Sequence, residues 1–295
     1  MIIISIHIFP HEIKNFERIV ENLKVCLTYV NSETDIQVNA SLNLNENVVD
    51  KCKYDKNDTI KTFLSYEKKL PIKTDFRVMT TSQFYGVNEE RRNTIQVSTN
   101  SDVIIFLDSD LYFNDKILAH QINSIDIVSK LNKFFIISPQ VVKLWDTTWD
   151  CIVNELYINE SFTLYKKINP QKTSQINYGK PSVISCDTFK WGGGWFNAIS
   201  ANLLKLIGIP ESFKGYGPDD TFIMECCKYM KSKNLDVQQY ILKNMVVVED
   251  RFYPRQESSL RDDNINFREN SNKHFHTELN FFKKKINDNI YNNGL

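Results

Sequence analysis

Two carboxylates flank a serine at Asp108-Ser109-Asp110, directly after the apolar run Val103-Ile104-Ile105-Phe106-Leu107. Carboxylate oxygens are hard donors that suit Mg²⁺ or Mn²⁺, and such an ion can bridge the charges of a diphosphate. The same residues would also serve a plain turn before a helix, because Asp is common in turns and caps. A second acidic pair, Asp219-Asp220, opens a helical pattern behind a loop that contains Gly215 and Gly217. Carboxylates in a helix's first turn are favoured by capping and by the macrodipole, although one is enough for a cap. Gly192, Gly193 and Gly194 lie between Trp191 and Trp195. Three glycines in a row carry an entropy cost unless the chain must turn tightly or let a ligand approach the backbone, and either reading fits here.

The elements that must position these groups follow from periodicity. Within residues 103–110 the apolar run 103–107 reads as a strand buried on both faces of a parallel sheet. Asp108 and Asp110 then fall at the sheet's carboxyl edge, where open α/β sheets bind ligands. Ahead of it, residues 2–9, 35–42 and 76–79 read as strands, and 11–30, 57–69 and 88–97 as helices. That alternation implies right-handed crossovers and a mostly parallel sheet. Further on, a helix is expected over 115–131, a strand over 134–138, helices over 201–207 and 219–231, and a strand over 245–248 ending in Glu249-Asp250. A last helix is expected over 270–286. Residues 139–181 have no clean period; Trp145, Trp149, Tyr157, Phe162 and Tyr165 among them could pack or could stack on sugar rings.

The 295 residues are 42% hydrophobic, enough for a substantial core, and Lys plus Arg equals Asp plus Glu at 36 each. With no net charge to draw nucleic acid or an anionic membrane, any phosphate site must be local. The six cysteines show neither zinc spacing nor C-x-x-C pairing and read as buried thiols of a reducing compartment. The apolar start lacks a basic leader region and a small-residue cleavage site, and Pro10 ends it early. No stretch approaches eighteen uncharged apolar residues. The expectation is a cytoplasmic protein without a transmembrane segment, still compatible with peripheral membrane contact.

Arg92-Asn93, the D-S-D turn fifteen positions after Asn93, and the block from Gly192 to Thr221 occur in an order that resembles the GT-A fold nucleotide-diphosphosugar glycosyltransferases. The block is most similar to the segment shared by β-1,4-galactosyltransferases, polypeptide N-acetylgalactosaminyltransferases and chondroitin-type polymerases. This resemblance implies an α/β, Rossmann-like, mostly parallel sheet flanked by helices, in one domain of two halves. Residues 1–114 would hold the nucleotide sugar, 115–260 the acceptor and catalytic groups, and 261–295 a helical tail. It further implies that Asp108 and Asp110 hold Mn²⁺ or Mg²⁺, and that Arg92, Asn93, Asp108, Gly193 and Gly194 bind the donor. Asp220 would be the general base of an inverting sugar transfer, with Asp219 orienting the acceptor, a glycan or a lipid- or protein-linked saccharide. The family commonly completes its metal site with a His after the last strand. Here Glu249 and Asp250 follow it, so Asp250 is taken as the third ligand, with Glu249, His274 and His276 as the other candidates. Tyr216, Pro218 and Asp219 stand where the family usually has Trp, Gly and Glu. A sugar nucleotidyltransferase would need a glycine-rich basic loop after the first strand, which residues 7–13 lack. A non-catalytic nucleotide-sugar-binding module is the remaining alternative.

Overall fold

The computed structural model describes residues 1–44, 54–80, 86–142, 150–159, 168–191, 194–215, 217–250 and 258–293. Gly192, Gly193, Tyr216, Trp145, Trp149, Phe162 and Tyr165 lie outside them.

Among the described residues the nine strands are β1 (Ile2–Ile8), β2 (Ile36–Asn43), β3 (Lys73–Met79), β4 (Val103–Phe106), β5 (Leu111–Phe113), β6 (Phe134–Val141), β7 (Ser182–Ser185), β8 (Asn197–Ser200) and β9 (Val237–Glu249). They form one sheet in the order β3-β2-β1-β4-β8-β6-β9-β5, with β7 also on β9. The first four pair in parallel, as the alternating first third of the chain requires. β8 then enters antiparallel between β4 and β6, while β6 and β9 run parallel to each other. The fold is therefore the expected α/β sheet with helices on its faces, carrying antiparallel insertions beyond its parallel half.

The helices are α1 (Ile13–Leu27), α2 (Lys56–Ser65), α3 (Val87–Val97), α4 (Ile117–Val128), α5 (Pro170–Ser174), α6 (Ala201–Ile207), α7 (Asp219–Ser232) and α8 (Ser258–Asn293). On α1, Phe16, Ile19, Val20, Leu23 and Cys26 recur at helical spacing and bury against Ile4, Ile6 and Ile8 of β1 and Val38, Ala40 and Leu42 of β2. A second core joins the other face of β4, β6 and β8 to α6, α7 and Leu279, Phe282 and Ile286 of α8. Burial of that apolar area, at roughly 25 cal/mol per Å², is what fixes the sheet.

One sheet face breaks the apolar rule. Ser5 and His7 of β1, and Asn39, Ser41 and Asn43 of β2, are all buried. Buried polar groups require partners. Ser5 Oγ meets Thr94 Oγ1 of α3 at 3.1 Å, and His7 Nδ1 meets Ser41 Oγ at 2.8 Å. α3 thus lies on the sheet through hydrogen bonds, and it carries the arginines considered next.

Two expectations of extent change. The strand expected over the apolar run 103–107 ends at Phe106, and Asp108 to Asp110 follow in the turn at its carboxyl end. The strand expected over 245–248 begins at Val237, and its register against β6 shifts near Asn244, whose φ is +68°.

Candidate active site

The turn after β4 is held against the segment before β8. The amide of Asp108 donates to Gly194 O at 2.9 Å, and a Cβ on Gly194 would overlap the Asp108 carboxyl group. Gly194 is therefore required as a close approach, and the ligand it accommodates is the protein's own carboxylate. Two residues later Phe196 takes φ +63°, an uncommon conformation for a non-glycine residue. Gln121 of α4 steadies it by donating to Phe196 O at 2.7 Å.

Arg91 organises the crevice. Its Nη2 donates to Asp108 Oδ1 at 3.2 Å and its Nη1 to Asp219 Oδ2 at 2.5 Å, with the guanidinium 4.8 Å from the Phe106 ring centre. The D-S-D turn and the start of α7 thus lie within the span of one guanidinium. Arg91 is 9% exposed and Asp219 6%, whereas Asp108 is 39% exposed on its open side. Burial works against the Arg91 charge, but Asp219 and then Asp108 more than offset it and hold the group above its usual range. Asp108 is surrounded by protein on its other sides. Desolvation raises its pKa, Arg91 pulls it back, and the nearby Asp219 and Glu12 add to the rise. Burial, and then Arg91, lowers the His7 pKa to about 3, so the ring stays neutral.

Arg92 is placed elsewhere. It donates to Pro210 O at 2.8 Å and Phe213 O at 3.1 Å, and pairs with Glu89 at 2.9 Å. The cation beside Asp108 is therefore Arg91 rather than Arg92, because the buried face of α3 carries Asn88, Arg91, Thr94 and Ile95. Asn93 is placed beside Arg77, whose guanidinium donates to the Asn93 side-chain oxygen when the amide is oriented to suit. The start of α3 is a clamp on the loop before α7. The amide of Gly215 donates to Glu89 Oε1 at 2.9 Å, Asn88 Nδ2 donates to Phe213 O at 3.1 Å, and a Cβ on Gly86 would collide with the Gly215 backbone. Gly215 itself has φ +68°, which suits glycine. A Cβ on Gly217 would come 2.7 Å from Ser271 Oγ of α8, so the C-terminal helix closes the same loop from outside.

The loop delivers Asp219 and Asp220 as the first residues of α7, behind Pro218, which makes no side-chain cap. Asp220 Oδ1 accepts from its neighbour's amide, Thr221 N, at 2.6 Å. Asp219 was expected to orient an acceptor, but its Oδ2 takes the Arg91 ion pair and the residue is buried.

Asp250 reaches the turn through strand pairing. Leu111 of β5 faces Glu249 of β9, and the amide of Asp250 donates to Asp110 O at 2.5 Å. Its carboxylate is ion-paired with Arg18 of α1 at 3.0 Å. His274 and His276 are exposed positions on α8. Among the described residues no three His, Cys, Asp or Glu side chains converge so as to hold a metal ion. Asp108 and Asp110 fit a hard divalent ion in donor type; among the described residues no third protein ligand is assembled beside them.

The partners to which sequence reasoning gave no role are Arg91, His7, Glu12 and Arg18. Arg91 carried a signal, since it stands four positions before Ile95, on the side of α3 that must face the sheet. Arg18 carried none, because its partners at the turn and at Asp250 are 91 to 232 positions away. Of the six cysteines, Cys26, Cys186, Cys226 and Cys227 are buried and free, as expected, and Cys151 is half-buried. Among the described residues no helix is long and apolar enough to cross a membrane.

No family model and no curated protein sequence matches the chain. Among solved structures, GalNAc-T7 with UDP, GalNAc and Mn²⁺ overlays on 84% of this chain at 12% identity and a TM-score of 0.49. The overlay covers 43% of that protein, so the chain matches less than half of its length. Mannosyl-3-phosphoglycerate synthase from Rubrobacter xylanophilus overlays on 89% of this chain and 72% of its own, at 10% identity and a TM-score of 0.43. HddC from Yersinia pseudotuberculosis overlays on 91% of this chain and 100% of its own, at 8% identity and a TM-score of 0.43. Overlays this loose transfer no activity to the chain.

Proposed function

We propose that this chain is a GT-A type glycosyltransferase that moves a sugar, with inversion, from a UDP-linked or similar nucleotide diphosphosugar to a hydroxyl of a saccharide acceptor. The observation that carries the reading is Arg91 bound at once to Asp108 and Asp219. It joins the acidic turn and the acidic helix start into one crevice, as a donor's diphosphate and an attacking hydroxyl require.

In this reading residues 1–114 bind the donor, 115–260 supply the acceptor side and 261–295 brace it. Asp108 and Asp110 would hold Mg²⁺ or Mn²⁺ together with oxygens of the nucleotide. When bound, such an ion supplies positive charge to the departing diphosphate. Arg91 adds a fixed cation beside Asp108. Asp220 accepts the proton of the acceptor hydroxyl while its oxygen bonds to the anomeric carbon, and the diphosphate leaves with the electron pair of the broken bond. One base acting opposite the leaving group inverts the anomeric centre, as in inverting glycosidases. Asp219, neutralised by Arg91, fixes the start of α7 so that Asp220 faces the crevice.

The test is a panel of nucleotide sugars incubated with the protein and Mn²⁺, with nucleotide release measured with and without saccharide acceptors. Acceptor-stimulated release that stops in chelator supports the reading. Formation of nucleotide sugar from a sugar phosphate and a nucleoside triphosphate would assign a nucleotidyltransferase instead, and binding without turnover a non-catalytic module.

A further inference from the structure

The turn that carries Asp108 and Asp110 is gripped by α1, far from it in sequence. The hydroxyl of Ser109 donates to Glu12 Oε1 at 2.6 Å, and Glu12 Oε2 accepts from the amide of Phe9 at 2.5 Å. Arg18 Nη2 donates to Ser109 O and to Leu111 O, each at 3.4 Å. Between those two carbonyls, Asp110 O accepts from the amide of Asp250 at 2.5 Å. Three consecutive carbonyls, on and around Asp110, are thus each taken by a named donor. Arg18 Nη1 in turn donates to Asp250 Oδ2 at 3.0 Å, and its guanidinium stacks 3.8 Å from the Tyr112 ring centre. Tyr112 Oη lies 3.4 Å from the same Asp250 oxygen.

We infer that Arg18 and Glu12 are positioning residues for the cation-binding turn, and that Asp250 serves as the counter-ion of Arg18 rather than as a metal ligand. The guanidinium is a planar fork with five donors, so it can hold two carbonyls and a carboxylate at once. A lysine ammonium keeps the charge but is a compact point donor and cannot span the same three acceptors. Setting the backbone on both sides of Asp110 fixes the direction in which its carboxylate leaves the chain. This is the work of an outer-shell partner, which orients a ligand without touching the ion. The inference rests on the reading of Asp108 and Asp110 as the metal-binding pair.

The experiment titrates the full chain with Mn²⁺ alone, following free Mn²⁺ by electron paramagnetic resonance, and records thermal unfolding alongside. The variants are Arg18→Lys, Arg18→Gln, Glu12→Gln, Asp250→Asn and Asp110→Asn. Loss of an outer-shell partner typically lowers metal affinity about 10- to 100-fold, and that range is expected for both Arg18 variants. Asp250→Asn keeps an oxygen that accepts from Arg18, so its Mn²⁺ affinity should stay near wild type while Asp110→Asn loses binding. Asp250→Asn losing binding as fully as Asp110→Asn would overturn the inference and make Asp250 a ligand. Unchanged affinity in both Arg18 variants, with only a lower unfolding midpoint, would reduce Arg18 to a stabilising contact. If Arg18→Gln does not fold, Arg18→Lys carries the test. If the wild-type chain binds no Mn²⁺, the metal reading fails. Amide exchange then decides the latch: faster exchange at residues 109–112 in Arg18→Lys, with β1 unchanged, supports it, and equal exchange overturns it.

Discussion

The D-S-D turn and the start of α7 each present two carboxylates, and each gives one of them to Arg91. Asp108 and Asp219 share that guanidinium. Asp110 and Asp220 are placed by their backbones: the first in a turn gripped by α1 and β9, the second on a helix whose preceding loop is clamped by α3. The pairs differ in what surrounds the Arg91-bound member. Asp219 is 6% exposed and Asp108 39%. A buried carboxylate with a fixed counter-ion is a structural group, whereas one open to the crevice can still exchange its partner for a ligand. Adjacent or near-adjacent carboxylates therefore do different work here, and burial rather than spacing separates them.

The strongest way to break this comparison is to remove the shared cation. Arg91→Met leaves Asp219 buried without its ion pair, and breaking a buried pair from one side costs about 3–5 kcal/mol. Urea unfolding should show a loss of that size; a change under about 1 kcal/mol would mean that Asp219 is solvated and that the two pairs are equivalent.

Gly194→Ala strikes the open carboxylate alone, since the added Cβ overlaps Asp108. Donor affinity should fall, tracked by calorimetric titration of UDP with Mn²⁺, while the core signal by near-ultraviolet circular dichroism is retained. Unaltered affinity would detach Asp108 from the donor site.

A pH series sharpens the picture of the crevice floor. His7 is held near 3 when folded, against 6.5 when unfolded. Between those values the unfolded chain binds a proton that the folded chain does not, so stability falls as pH drops from about 6.5 towards 3. The slope from this group approaches ~1.4 kcal/mol per pH unit. His7→Gln should flatten the curve by that amount in urea unfolding at pH 5 and 7. An unchanged slope would put His7 in contact with solvent.

The smallest effect is expected at Arg92, the residue that sequence favoured. Arg92→Gln keeps a shorter donor towards Pro210 O and Phe213 O, so a loss of about 0.5–1.5 kcal/mol in all is expected. Thermal unfolding should register it, with donor affinity unaffected; a large loss of donor affinity would return Arg92 to the phosphates.

Much of the fold could be read from the chain, for physical reasons that also mark where reading stops. β4 is buried on both faces and appears as an unbroken apolar run, β1 is buried throughout and apolar but for Ser5 and His7, and α1 repeats its apolar residues at helical spacing. β5, β7 and β8 have three or four residues each, too few to establish a period of two. The first part of β9 was hidden because Gln238, Gln239, Lys243 and Asn244 interrupt its apolar residues and its register shifts near Asn244. At the site, Asp108, Asp219 and Asp220 were legible as types at plausible element ends. Which neighbouring arginine faced them was not, since one residue of helix rotates a side chain by about 100°. Asp250 arrived beside Asp110 as expected, but its pairing with Arg18 depends on a helix 232 positions away.

The central claim is that Asp220 takes the acceptor's proton while Asp219 only anchors the helix that carries it. Steady-state turnover of Asp220→Asn, measured by nucleotide release at saturating donor and acceptor, tests this most directly. The account predicts a fall in kcat of about 10²- to 10⁴-fold, the usual contribution of a positioned general base, with donor KM and unfolding midpoint close to wild type. Full turnover in Asp220→Asn would contradict it and place the base elsewhere in the crevice.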